Sequence, residues 1–341
     1  GLPKPPADTG KRKSTCRWEE EHEELESARR RARRLRKINR RLSPSAAERG
    51  CGIANLGGYV DVVCRTDRRA SKRFGVASCS RMMCPTCCFQ SKAKLVKRMI
   101  PALVGAVQDG RIVVMITTTL RHDKNTSAAK LIKGFSKGWN RVNSALKYHF
   151  GKDNKFEYCR CRDYMFSLAN GHHIHQHQLL VAPVGATLAV VDELDEVVWD
   201  SWVKFSESNG FGTPSRDGFD VRVVAGRGSA ANVARYITKL TKSAFEVAGD
   251  AWKKGRAGSM SLWEMLDALS RLPECETRMI IEEAYTEYRS ASYKKQSFST
   301  SKGFFGLADV ENSNDGEDED EDEDVIGEVP NPLDVLAAEF T

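Results

Sequence analysis

Three histidines at alternate positions, His173, His175 and His177, lie in the run Gly171-His172-His173-Ile174-His175-Gln176-His177-Gln178-Leu179-Leu180-Val181. On a β-strand, residues two apart share a face, so the three imidazoles point the same way. Imidazoles held side by side on rigid backbone can hold a divalent metal. The chain has seven histidines in all, and packing alone does not explain three of them in one row. About sixty residues on comes Val233-Ala234-Arg235-Tyr236-Ile237-Thr238-Lys239. On a helix, Tyr236 and Lys239 share a face. A tyrosine oxygen can attack phosphorus and keep the energy of the cut bond in a phosphotyrosine. Lys239 can stabilise negative charge on the phosphate or the phenolate. A hard ion such as Mg2+ or Mn2+ binds a non-bridging phosphate oxygen and spreads the charge of the transition state. The set suits cleavage of a phosphodiester bond.

The second chemical group is sulfur. Cys79, Cys84 and Cys87 follow a Cys-x4-Cys-x2-Cys spacing, with Cys51 and Cys64 upstream. Cys84-Pro85-Thr86-Cys87 forms a tight knuckle that presents two thiolates to one ion. A structural zinc site needs four ligands, so Cys79 and either Cys51 or Cys64 complete the set. Cys88, next to Cys87, cannot easily serve the same ion. Cys159 and Cys161, one strand repeat apart, read as ordinary buried thiols. Ten cysteines in a chain of cytosolic character argue for metal ligation over a disulfide framework.

Composition narrows the partners. The 341 residues are 40% hydrophobic, enough for a substantial core. No apolar stretch approaches the roughly 20 residues that span a bilayer. A soluble, cytoplasmic protein of bacterial type, with no membrane partner, is expected. Residues 311–341 hold thirteen acidic side chains and no Lys or Arg, so the net +7 of the whole chain leaves +20 on residues 1–310. A body that basic favours nucleic acid through phosphate neutralisation and counterion release.

The elements that must position these groups follow from periodicity. Residues 1–15 are polar and expected to be disordered, and 17–42 read as a charged helix, glutamates first and arginines after. A helix is expected at 91–108 and a β-branched strand at 112–120. The helix at 127–148 has the apolar stripe Leu131, Phe135, Trp139, Val142 and Leu146. The histidine strand ends at Val181. A helix at 188–206, a short strand at 219–224 and the tyrosine helix at about 229–243 complete the alternation. A loop is expected at 244–260 and mostly helix at 261–292; the unbroken acid of Glu317 to Asp324 cannot pack. The order predicts an α+β fold. Four parts are expected: a charged N-terminal segment (1–48), a Cys-rich zinc module (49–98), a catalytic domain (99–306) and an acidic tail (307–341).

These motifs resemble the HUH endonuclease superfamily, specifically the rolling-circle replication initiators of small plasmids. Cys79 to Cys87 matches that family's CxxxxCPxC segment, and Thr117-Thr118-Thr119-Leu120-Arg121-His122 its first motif. Gly171 to Leu179 matches its histidine motif, with His172 in a tryptophan place and Ile174 in a proline place. Arg235 to Lys239 matches its K-Y-x-x-K motif, and Ser299 to Phe304 resembles a late W-S-x-G-L segment. The resemblance implies a five-stranded antiparallel sheet flanked by helices. It implies His175 and His177 as the metal pair, His173 as a further ligand or a supporting residue, and Tyr236 as nucleophile. Asp163 is the nearest candidate for an upstream acidic ligand. Asn232 stands where some relatives carry a glutamate, so termination would use Tyr285, Tyr288, Tyr293 or a second molecule. The implied activity is nicking and joining of single-stranded origin DNA, with host replication proteins as further partners. A relaxase or single-strand transposase would use the same chemistry. A nucleic-acid-binding zinc protein without catalysis, with a structural metal on the histidines and Tyr236 in the core, is the reading from another class.

Overall fold

The computed structural model describes residues 30–31, 33–53, 62–64, 71–73, 77–81, 83–225, 255, 258–295 and 298–308. The expected tyrosine helix with Asn232, Tyr236 and Lys239, most of the 244–260 loop, the start of the chain and the acidic tail lie outside the described residues.

A helix over 33–42 (α1) leads into the short α2 (Ala46–Gly50). The strands β1 (Val62–Cys64) and β2 (Ser71–Arg73) pair antiparallel. The helix α3 (Cys88–Gln108) starts at the cysteine knuckle and runs unbroken into the core. Then come β3 (Val113–Thr119), α4 (Ala128–Phe150), β4 (Glu157–Ser167), β5 (Gly171–Val181), α5 (Ala189–Ser208) and β6 (Asp220–Ala225). The described chain resumes with β7 (Ser259–Ser261), α6 (Leu262–Arg271), α7 (Glu276–Ser292) and β8 (Phe298–Thr300). The fold is α+β, an antiparallel sheet in the order β6-β3-β5-β4-β7, with β8 also on β4. Among the described residues it has six strands where the family resemblance implies five; β7 and β8, three residues each, cap opposite ends of β4.

The two faces of the sheet are filled differently. Ile112, Val114, Ile116, Tyr164, Phe166, Ile174 and Leu180 meet the helical layer, where the expected stripe Leu131, Phe135, Trp139, Val142 and Leu146 of α4 is buried with Leu194, Val198 and Trp202 of α5. On the other face Val113, Met115, Cys159, Cys161, Leu179 and Val181 are covered by Val96, Met99, Leu103 and Ala106 of α3. That apolar cover takes only one end of the face. The histidines take the other.

Local chemistry fixes the ends of the elements. Ser127 accepts a hydrogen bond from the Lys130 N–H and starts α4, and Ser261 with Glu264 forms a capping box on α6. Pro273 falls in the break between α6 and α7, which divides the helical stretch expected at 261–292. Gly171 turns β4 into β5 with φ +73, and a Cβ there would lie 2.9 Å from the Lys124 backbone. Gly138 lets α4 and α5 touch: an added Cβ would meet Trp202 at 2.6 Å. Gly138→Ala should therefore cost about 1–3 kcal/mol through overpacking, read from the urea midpoint, although alanine is the better helix former.

Candidate functional site

The register of the sheet assembles the histidine face. His175 pairs with Thr119 on one side and Asp163 on the other; His177 pairs with Thr117 and Cys161. Cross-strand partners share a face, so Thr117, Asp163 and the three histidines look the same way. His122, just beyond β3, joins them. Its Nδ1 lies 2.9 Å from the Leu120 carbonyl, which can only accept, so Nδ1 carries the hydrogen and Nε2 keeps a lone pair. That Nε2 sits 3.1 Å from His173 Nδ1, and His173 Nε2 sits 2.6 Å from His175 Nε2. At the inner end His177 Nε2 donates to Asp163 Oδ2 at 3.2 Å, and its Nδ1 accepts from the Thr117 hydroxyl at 3.0 Å. Asp163 thus fixes the tautomer of a buried imidazole, as carboxylates do behind metal-binding histidines.

The row is half-buried at His122, His173 and His175 and sealed at His177 and Asp163. Burial, then the neighbouring His122, draws the pKa of His173 down to about 4, so this ring is neutral at pH 7 and offers a lone pair. The donors form a chain of contacts. Of the described residues, only four cysteines come together as a group of three or more donors all within 4.8 Å of one another.

Those cysteines are Cys51, Cys79, Cys84 and Cys87. Between the two alternatives for the fourth sulfur, Cys51 joins the cluster. Its Sγ is 3.3 Å from that of Cys87, and Cys79 Sγ is 3.8 Å from the same atom. Sulfurs at 2.3 Å from one tetrahedral zinc are about 3.8 Å apart, so the donor set fits that ion. The knuckle supplies the supporting hydrogen bonds: the Thr86 N–H reaches Cys84 Sγ at 3.4 Å and the Cys87 N–H points to the same sulfur. The Cys79 thiol donates to Cys84, and that contact does most to draw Cys84 down to about 5, while burial pushes Cys51 up to about 11. One sulfur is thereby poised as a thiolate, and a cation would take the place of the shared hydrogen.

Tyr285 and Tyr288 belong to the core. The Tyr285 hydroxyl donates to Asn39 at 2.8 Å, and Tyr288 stacks on Tyr164 with ring centroids 3.7 Å apart. Tyr293 is half-buried beside Arg81 and Lys294. Behind the histidine face, His172 bridges the Tyr164 hydroxyl (2.8 Å) and Glu287 (3.0 Å), and Glu287 accepts from the Ala128 N–H at the start of α4. This relay, buried at Tyr164 and His172 and half-exposed at Glu287, ties β4, β5, α4 and α7 together. Sequence reasoning did not single out His122 or Thr117 as members of the site; their signal was the Thr117–His122 motif directly after a strand. Among the described residues no helix is long and apolar enough to cross a membrane. No family model matches the chain, and no curated protein or solved structure is significantly similar to it.

Proposed function

We propose that the chain nicks and rejoins single-stranded DNA through Tyr236 and a divalent ion, in the manner of a rolling-circle plasmid replication initiator. The observation that carries the reading is the row of imidazoles with a carboxylate at its inner end, on the part of the sheet that α3 leaves uncovered. A row of nitrogen donors with one carboxylate suits Mn2+ better than Mg2+. The chain between Ala225 at one edge of the sheet and Ser259 at the other has 33 residues, with a reach of roughly 110 Å when extended. Its far anchor is close to the histidines, since Ser261, Met165 and His173 share one register row. Tyr236 lies within this link.

A bound ion would supply positive charge to a non-bridging phosphate oxygen. The residues do the rest. His173 and His175 set their ring nitrogens side by side, and Asp163 and Thr117 hold the ring of His177 in place behind them. The Tyr236 hydroxyl gives its proton to water as its oxygen attacks phosphorus and forms the new P–O bond; the bond to the 3′ oxygen breaks, and that oxygen leaves as a hydroxyl with a proton taken from water. Lys239 offsets charge on the phosphate. Rejoining is the same exchange in reverse, and a relaxase or transposase would share it. One observation favours the reading without catalysis: the cysteines form the closed cluster, while the histidines contact one another in a chain.

Labelled single-stranded DNA incubated with the protein and Mn2+, then denatured, separates the two. A covalent adduct is expected in the wild type and none in Tyr236→Phe. His175→Ala should slow adduct formation by about 100-fold or more, and Asp163→Asn by about 10- to 100-fold. Intact DNA and no adduct with the wild type would overturn the enzymatic reading.

A further inference from the structure

A cleft of 370 Å3 opens between the cysteine knuckle and the end of α7, with Arg81, Met83, Tyr293, Lys294, Lys295 and Phe298 in its walls. Its exposed charge has one sign. Glu48, also in the wall, is taken up by Arg289 in a buried ion pair, which leaves Arg81, Lys294 and Lys295. Arg81 lies 5.8 Å and the Lys294 ammonium 5.6 Å from the centre of the Tyr293 ring, so an aromatic ring has two cations beside it. Among the described residues, the two non-glycine positions with positive φ are Ser80 (+47) and Lys294 (+58). They stand next to Arg81 and Tyr293. Left-handed backbone at such residues is costly and gathers at sites that must hold a side chain in one place. Arg81 is also pinned on the knuckle between Cys79 and Cys84.

The cleft lies at the sheet edge, two strands from the buried end of the histidine row. Phe298, Cys161 and His177 share one register row across β8, β4 and β5, which puts Phe298 about 10 Å from His177 at about 4.8 Å per strand. Sequence-tolerant binding of single strands combines an aromatic platform with a basic track. We infer that this cleft holds one base of single-stranded DNA on Tyr293, with the neighbouring phosphates on Arg81, Lys294 and Lys295, and so fixes the path of the strand toward the histidines. The inference rests on the DNA reading above.

Binding of a fluorescein-labelled oligo(dT) 15-mer to the full chain, in the Tyr236→Phe background and without added divalent ion, tests it by anisotropy at several salt concentrations. Tyr293→Leu should weaken binding about 10-fold or more, and Tyr293→Phe, which keeps the ring, should stay within about 2-fold. Arg81→Gln with Lys294→Gln should lower the salt slope by about 1.4, from about 0.7 for each phosphate contact. Melting temperature and zinc content report whether each variant is folded, and the exposed Lys294→Gln and Lys295→Gln changes test the cleft if Tyr293→Leu is not. Unchanged affinity and salt slope in these variants, from a parent that binds the oligonucleotide, would sink the cleft alone. A parent that does not bind would sink both the cleft and the DNA reading.

Discussion

The Cys84→Ser protein is expected to carry no zinc and to lose the ordered packing of residues 49–53 and 77–87. The helix α1 and Glu48 are held from outside, by the core at Leu35 and by Arg289, but the segments that carry the cysteines have little besides the sulfurs to hold them. Their apolar cluster consists of Cys51, Cys84 and Cys87 with Cys79 beside them, so the ligands are themselves the core. A unit of this size does not bury enough surface to order itself and depends on a metal or a neighbour. Structural zinc in small modules contributes about 10 kcal/mol or more of apparent binding free energy at neutral pH, and that free energy is folding free energy. Cys84 is the sulfur whose loss should matter most, because it is the acceptor for the knuckle N–H groups and the one drawn toward the thiolate. Metal analysis should find about one zinc per wild-type chain and almost none in Cys84→Ser. Amide exchange in 49–53 and 77–87 should speed up while α1, β3 and β5 stay protected. Cys88→Ser is the control: Cys88 is buried but packs with the helical layer, so zinc should stay. Full zinc in Cys84→Ser, or exchange unchanged in the module, would show that these sulfurs are ordinary buried thiols.

The helical layer was legible because it rests on local periodicity. Leu131, Phe135, Trp139, Val142 and Leu146 recur at helical spacing, and all are buried on α4. The strands β3 and β5 were legible from β-branched content and alternation. The strand β4 was not. Glu157-Tyr158-Cys159-Arg160-Cys161-Arg162-Asp163 alternates in burial, yet its buried positions include Glu157 and Asp163 and its partly exposed ones are Tyr158, Arg160 and Arg162. A hydrophobic alternation is absent because each polar member answers a neighbour from another part of the chain: Glu157 binds Lys155 and Ser301, Arg160 binds Ser299, and Asp163 binds His177. The same reason limited the site. Alternation placed His173, His175 and His177 on one side, but the arrival of Cys51 among the sulfurs and of His122 beside the histidines depends on tertiary contacts that no spacing encodes.

Arg289→Leu should cost about 3–5 kcal/mol, the second large effect, although Arg289 belongs to none of the motifs. Arg289 and Glu48 form an ion pair with side chains only 3% and 4% exposed, and it joins the N-terminal segment to α7. Two charges taken out of water are tolerable only while each has the other and further hydrogen bonds. Here Ser43 Oγ donates to Glu48 at 2.9 Å, Arg289 reaches Ser43 Oγ at 3.4 Å and Ser45 caps the helix that carries Glu48. Deleting one partner strands the other at the back of the cleft with only a few per cent of its surface open to water, which is why the expected cost exceeds that of a surface pair. Glu48→Gln should be costly for the same reason. Replacing both, as Glu48→Leu with Arg289→Leu, should recover most of the loss, since an apolar pair of similar bulk carries no stranded charge. Equilibrium urea unfolding of the two single variants and the double gives the coupling directly. Single variants that each cost under about 1 kcal/mol would mean that water reaches the pair. The joint between the cysteine module and α7 would then rest on Leu35, Ile38 and Leu42, the apolar side of α1, and on the bond from Tyr285 to Asn39.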